Sequence, residues 1–411
     1  MQKNRNQVEW ILILKWFSLR LVVGLFLFFV LNFIYVRTLY TSDLKKYSSV
    51  KLQIDSAFQS GDIIYLGESS NTSFNPWTDT LNQSISDFLQ LYIPNKKVKA
   101  VTHPAYHPGL FLKMLELLPE GDVSDKVIVL GVNMRTCGPS AMFSGNEASN
   151  QQEAVFYSKR YPLLSRIFMG LHFYDNRGGL EMERLKFQWW RTQDLSSISP
   201  YSSALNWMES VNSKMGLDRL DQKVKDSFQL EQINSMMGAY IKEFAFILDE
   251  NNPRLKDLKA IVDCCRNQKV RLVFHILPPN RHHAQMLFGN ELVRVMDRNH
   301  QFLVQQLKSW NSEFIDNYSL IEASEKVAVP IEYKDHYSDF SGSRFTDQWY
   351  PTEHYNQTIR QRIAESIAVR AFGVTRTAII LKQNNYPNWD VVMPLSDPQI
   401  LKFKSSSLYR P

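Results

Sequence analysis

Sixteen consecutive residues, Leu21 to Val36 (LVVGLFLFFVLNFIYV), carry no charge and only one amide, Asn32. Extended back through Trp10 the run is long enough to cross the hydrocarbon core of a bilayer, which takes about 20 residues of helix. Lys15 and Arg20 would then reach back toward the headgroups. The run is longer than the apolar core of a cleaved leader, and no small-x-small cleavage site follows it. It is therefore read as an uncleaved signal anchor over 21–40, extending back as far as 10, behind a cytoplasmic tail at 1–20. A buried core helix is a poor alternative for so long an unbroken run. Lys3, Arg5, Lys15 and Arg20 precede the run and Arg37, Lys45 and Lys46 follow it, a distribution that favours a cytoplasmic N-terminus and places the remaining chain outside the cytoplasm.

The chain has the composition of a folded domain, with 44% hydrophobic and 21% charged residues in 411, enough for one large core or two modest ones. The formal net charge is +6, but Lys and Arg are scattered and no basic block interleaves with aromatics. That speaks against a nucleic acid partner and suits an anionic envelope surface. The three cysteines, Cys137, Cys264 and Cys265, form neither a CxxC pair nor a Cys/His cluster. A disulfide scaffold or a zinc site is not expected, and neither is a cofactor.

Thr41 to Gly61 is polar with apolar residues at helical spacing, a linker (41–60) from membrane to domain. Asp62 to Phe74 (DIIYLGESSNTSF) then reads as a buried strand that stops at Gly67 and opens into a Ser/Asn turn. The spacing predicts a helix over 78–91, a strand at Lys97–Thr102 (KVKAVT), a Pro/Gly loop at His103–Gly109 (HPAYHPG), a helix over 110–118 and a strand at Lys126–Val132 (KVIVLGV). Strands alternating with helices in this way imply a parallel, doubly wound α/β sheet. From about 139 to 252 helical segments dominate, an insertion that is either a substrate-binding cap or a structural subdomain whose aromatics are core. The α/β rhythm resumes with a helix over 253–266, a strand at Val270–Leu277, a long helical region over 281–310, a short strand at Phe314–Asn317 and a closing helix over 355–372. The extension 373–411 has a β-like run at Thr377–Leu381.

Serine ester chemistry needs a nucleophile, a base, a group that orients the base, and donors for the developing oxyanion. Gly67-Glu68-Ser69, Gly109, Gly131-Val132-Asn133 and His354 stand, in that order, at expected strand ends or a helix start. This arrangement resembles the four blocks of the SGNH/GDSL hydrolase superfamily over roughly 61–372. The resemblance implies a flavodoxin-like parallel sheet, a three-layer sandwich, with Ser69 as nucleophile and His354 as base. Ser69, Gly109 and Asn133 would form the oxyanion hole. Glu68 replaces the family's usual Asp in the first block and Met134 the Asp of the third. The Asp expected three residues before the histidine is Pro351, so Asp347 is the candidate orienter, with Glu353 and Asp339 as substitutes or a backbone carbonyl in a Ser–His dyad.

Other histidines have plainer readings: His103 and His107 as loop residues or walls of a polar pocket, His275 as a core histidine, His282 and His283 as a helix start. Asp335-His336 shares the loop before His354 and is a candidate substrate contact. Sequons begin at Asn71, Asn82, Asn317 and Asn356. Two lie beside candidate catalytic residues, where a glycan would block the site, so a bacterial envelope setting is expected. Anchored bacterial proteins of similar layout include teichoic-acid D-alanine transfer proteins and alginate acetyltransferases. By that resemblance the chain is expected to be a single-pass protein of the bacterial cytoplasmic membrane, an esterase or O-acyltransferase facing the periplasm or exterior. Its substrate would be an acylated glycan or small ester, and a polytopic membrane acyltransferase a possible partner. The alternative is a non-catalytic glycan-binding or scaffold domain.

Overall fold

A computed structural model describes residues 2–72, 83–119, 123–144, 146–175, 177, 179–212, 237–321, 355–374, 378–382 and 390–394. Helix α1 (Gln2–Thr38) contains the one described segment long and apolar enough to cross a membrane, Leu14–Thr38, with a hydropathy of 2.3. Two further helices, α2 (Tyr40–Tyr47) and α3 (Ser49–Ser60), carry the chain into the domain. They do more than bridge a gap, because Val50, Ile54, Ala57 and Phe58 of α3 are buried in the main core.

The domain is built on five parallel strands in the order β2-β1-β3-β4-β5: β1 (Ile63–Gly67), β2 (Val98–Thr102), β3 (Val127–Val132), β4 (Arg271–Ile276) and β5 (Glu313–Asp316). β1 and β3 are buried along nearly their whole length, as expected of β-branched runs covered on both faces. Side-chain alternation divides them between two layers. Ile64, Leu66, Ile128 and Leu130 pack with α3, α6 (Pro108–Leu115), α13 (Pro253–Asn267) and α15 (Asn290–Ser309). Ile63, Tyr65, Val127 and Val129 pack on the opposite face with α5 (Ile85–Tyr92) and α16 (Gln357–Phe372).

The chain leaves β3 through a 3-10 turn, Met134–Cys137, and enters α7 (Pro139–Met142), α8 (Glu147–Ala154), α9 (Pro162–Gly170), α10 (Gly179–Thr192), α11 (Ala204–Asn212) and α12 (237–244) before α13. No strand occurs among the described residues of 139–252. Trp190, Trp207, Tyr240 and Phe244 are continuous with the main core, so these insertion aromatics serve as packing. The helical region after β4 is two helices, α14 (Arg281–Phe288) and α15, broken where Gly289 adopts a φ of 62°. That left-handed conformation favours glycine. After α16, β6 (Ala378–Lys382) pairs antiparallel with β7 (Asp390–Pro394).

Candidate functional site

In a sheet of this order the crevice for ligands lies at the carboxyl ends of the strands on either side of β1 and β3. β1 ends at Gly67, in register with Thr102 of β2, and its other neighbour is β3. The next residues out of these strands are Glu68, His103 and Asn133, so the sheet brings three of the loops singled out in the sequence to one edge. Ser69 is half-buried and opens α4 (Ser69–Thr72), a single turn. Asn71 fastens that turn: its amide donates to Ser86 Oγ (3.1 Å) and Thr102 Oγ1 (3.0 Å), and its Oδ1 accepts from the Ser86 N–H (3.0 Å).

Glu68 is the hub of the edge. It is 3% exposed, and its Oε1 accepts from the side-chain amide of Asn133 and from Ser70 Oγ (3.2 Å). Its Oε2 has no hydrogen bond and stands 3.7 Å from the Arg135 guanidinium, which also lies 3.5 Å from Glu243 at the end of α12. Asn133 Oδ1 accepts from the Arg135 N–H (3.2 Å), so both ends of its amide are engaged within the protein. Nothing in the sequence pairs Arg135 with Glu68, a contact between the ends of neighbouring strands, or with Glu243, a contact that spans the insertion.

Gly109 occupies the second position of α6, and its α-carbon faces α13. A Cβ there would approach Asp257 Oδ2 to 2.7 Å and the Arg254 guanidinium to 3.2 Å. The neighbouring His107 is not a solvated loop histidine. It is 3% exposed, with Nε2 3.1 Å from Glu147 Oε2 of α8, and Arg254 lies 3.6 Å from the same carboxylate. Burial pushes the His107 imidazole below its ordinary value, and burial likewise raises the Asp257 carboxyl. His103 is only partly buried, with Nδ1 2.9 Å from the Pro104 carbonyl and its ring 4.5 Å from that of Tyr106.

Across the sheet, His275 and Tyr65 meet over Gly131, their ring centroids 5.4 Å apart. A Cβ on Gly131 would come within 3.1 Å of His275 Nε2. His275 is fully buried, neither ring nitrogen has a hydrogen-bond partner, and burial lowers its pKa to about 3. A histidine–aspartate pair not read from the sequence stands at the end of β5, where His300 Nε2 lies 3.0 Å from Asp316 Oδ2 and the His300 ring stacks on Tyr318 at 3.8 Å.

His354 and Asp347 lie outside the described residues, as do Pro351, Glu353, Asp339 and the Asp335-His336 pair. Tyr355, the residue after His354, is buried beside the β1 face. Asn356 caps α16 by accepting from the Ile359 N–H (3.1 Å). Fully buried Arg360 donates to the carbonyls of Tyr355 (2.7 Å) and Gln83 (2.8 Å), tying the residue after His354 to the approach to α5. That is the same helix end whose Ser86 holds Asn71. A cavity of about 310 Å³ opens there, lined by Asn71, Thr72, Ser86, Asp87 and Thr102. Of the sequon asparagines, Asn71, Asn317 and Asn356 are all under 5% exposed, so none presents its amide for a glycan in the fold; Asn82 lies outside the described residues. Among the described residues no group of three or more His, Cys, Asp or Glu side chains is arranged to hold a metal ion.

No protein-family model matches the chain, and no curated protein matches it significantly.

Proposed function

We propose that the chain is a membrane-anchored serine esterase or O-acyltransferase of the SGNH kind, working outside the cytoplasm of a bacterium on an acylated envelope glycan or a similar ester. The observation that carries this reading is the convergence at the β1–β3 edge. Ser69 opens the turn after β1, Asn133 closes β3, and Glu68 joins the two loops. The Arg360 bridge adds support, because it holds Tyr355 near the α5 end that also fastens the Ser69 turn. In this mechanism Ser69 Oγ attacks the ester carbonyl as His354 takes its proton, and the tetrahedral intermediate collapses as that proton passes to the leaving alkoxide. Water or a sugar hydroxyl then attacks the acyl-enzyme by the same steps in reverse. The Ser69 N–H, the Gly109 N–H and the Asn133 amide are the proposed oxyanion donors, and Asp347 the orienter of His354.

The experiment is steady-state hydrolysis of p-nitrophenyl acetate by the full chain and by its S69A and H354A variants. Both variants are expected to fall to the uncatalysed rate while keeping the parent's melting temperature. Undiminished turnover in S69A removes Ser69 from the chemistry.

A second reading, a non-catalytic glycan-binding or scaffold partner of a polytopic membrane acyltransferase, is favoured by two specific contacts. The Asn133 amide is already held by Glu68, and the α-carbon of Gly109 faces Asp257 and Arg254. Under that reading S69A leaves glycan binding or co-purification with the polytopic protein intact, and no ester is cleaved by either form.

A further inference from the structure

The large hydrophobic side chains left exposed are not spread over the domain. Beyond α1 and the adjoining Leu39, six of them (Tyr161, Ile167, Leu171, Phe173, Leu180 and Phe187) fall within 161–187, against Val369 alone elsewhere among the described residues. Around α9 the pattern is inverted for a helix in water. Ser165 is buried at 2% exposure and within 3.3 Å of Ser158 Oγ, whereas Ile167, Leu171 and Phe173 are 40%, 57% and 64% exposed. Exposed apolar patches of this kind mark a surface that something apolar covers.

The contacts of α9 identify what covers it. Tyr161 packs edge-on against Phe28 and Phe29 of α1, at centroid distances of 5.8 and 5.4 Å, and the Leu163 N–H donates to Asn32 Oδ1 at 3.0 Å. That accounts for the one amide in the apolar run of α1. The contacts of Tyr161 and Leu163 are made short of the end of α1, while farther along α9 Arg166 donates to Asp43 Oδ2 of α2 at 3.0 Å. Asn32 to Thr38 is six residues, about 9 Å along a helix, and Phe33, Ile34 and Val36 of α1 and the adjoining Leu39 remain exposed beyond it. A medium that covers those side chains also reaches α9. Lys159 and Arg160, both exposed, stand at the edge of the patch, and the Arg160 guanidinium lies 4.8 Å over the Phe168 ring, itself packed on Phe173.

We propose that the α9 face of the insertion, with Ile167, Leu171 and Phe173 outermost, is seated in the acyl-headgroup boundary of the bilayer beside α1. Lys159 and Arg160, which directly precede Tyr161, extend their long side chains toward the anionic lipid phosphates. The domain is then held flush on the membrane rather than carried above it on a stalk, which confines its site to esters presented at a fixed height. An apolar helix face flanked by cations is the pattern of interfacial membrane segments. This seating rests on α1 spanning the membrane.

The test uses the full chain, with Cys264→Ser, in nanodiscs containing phosphatidylglycerol. Nitroxide labels are placed singly through L171C and F173C, through L25C on α1, and through Q305C, exposed on α15. Labels at 171 and 173 are expected to collide with oxygen in preference to a water-soluble nickel chelate, with a ratio several-fold above that at 305 and of the same kind as that at 25. A lipid reading at 25 with an aqueous reading at 171 and 173 overturns the seating while leaving the anchor intact. Shielding of 171 and 173 from both reagents means that protein covers the patch, and also overturns it. An aqueous reading at 25 removes the anchor itself and the seating with it.

Discussion

The side-chain amide of Asn133 donates to Oε1 of Glu68, so the residue that follows β3 is fastened to the residue that follows β1. Glu68 is buried, and its second oxygen has only the Arg135 guanidinium, 3.7 Å away, for company. A buried carboxylate of this kind is tolerated because a cation and two donors face it, and removing it leaves those groups unmatched.

E68A is therefore expected to destabilise the chain by about 2–4 kcal/mol, from the unmatched Asn133 amide and Arg135 charge. E68D keeps the charge but shortens the reach, and should fall between the parent and E68A. Urea unfolding followed by near-ultraviolet circular dichroism measures both. Equal stability of all three forms would show that the loop ends are held by something else.

Gly131 is where the third strand makes room for its neighbours. A methyl group there meets His275 Nε2 at 3.1 Å, between two rings that pack over the strand. G131A should lower stability by about 1–3 kcal/mol, the range for overpacking a tight core. Combined with H275A, its effect should shrink by more than about 0.5 kcal/mol relative to the sum of the two, as coupled neighbours do. Simple additivity in a double-mutant cycle would place the strain elsewhere.

Burial lowers the pKa of His275 to about 3 and that of His283, which lies 3.3 Å from the Tyr240 hydroxyl, to about 4. Unfolded, these imidazoles take up protons near pH 6.5. Below that pH the unfolded chain binds protons that the fold excludes, so the stability of the neutral, folded histidines is complete above about pH 6.5. It declines as pH falls toward about 4 for His283 and about 3 for His275, by about 1 kcal/mol per pH unit for each. Melting temperatures of the detergent-solubilised chain between pH 7.5 and 4.5 should show that decline, and H275F should flatten it. A melting temperature that rises on acidification would contradict this assignment.

Asn71 shares three hydrogen bonds with Ser86 and Thr102 and so sets the turn that begins at Ser69. N71A is expected to lower stability by about 1–3 kcal/mol. If ester cleavage runs through Ser69, kcat should fall with KM little changed, because the turn loses its support while the substrate contacts remain. A loss confined to KM would assign Asn71 to substrate binding instead.

The sheet was legible in the sequence because its strands are covered on both faces, and a doubly covered parallel strand appears as an unbroken apolar run. Ile63–Gly67, Val127–Val132 and Arg271–Ile276 lie within a residue or two of the bounds the residues suggest. The role of α3 was harder to read, since its buried residues, Val50, Ile54, Ala57 and Phe58, are spaced among polar ones that could equally belong to a solvated linker. The single helical region after β4 concealed a break, because Gly289 alone marks it and a glycine is also tolerated within a helix. At the candidate site, local sequence identifies Ser69 and Asn133, but it carries no sign that Glu68 would meet Arg135, or that Glu147 from the insertion would reach His107. The first pairing depends on β1 and β3 lying side by side and the second on how the insertion packs back against the loop before α6, and no local pattern encodes either.

The most direct measurement of the central claim is the mass of the full chain after treatment with a fluorophosphonate, followed by peptide mapping of the adduct. The account predicts one phosphonyl group, located on Ser69 and missing from S69A. An unmodified chain, or an adduct that persists in S69A, would contradict it and leave the domain as a binding or scaffold module.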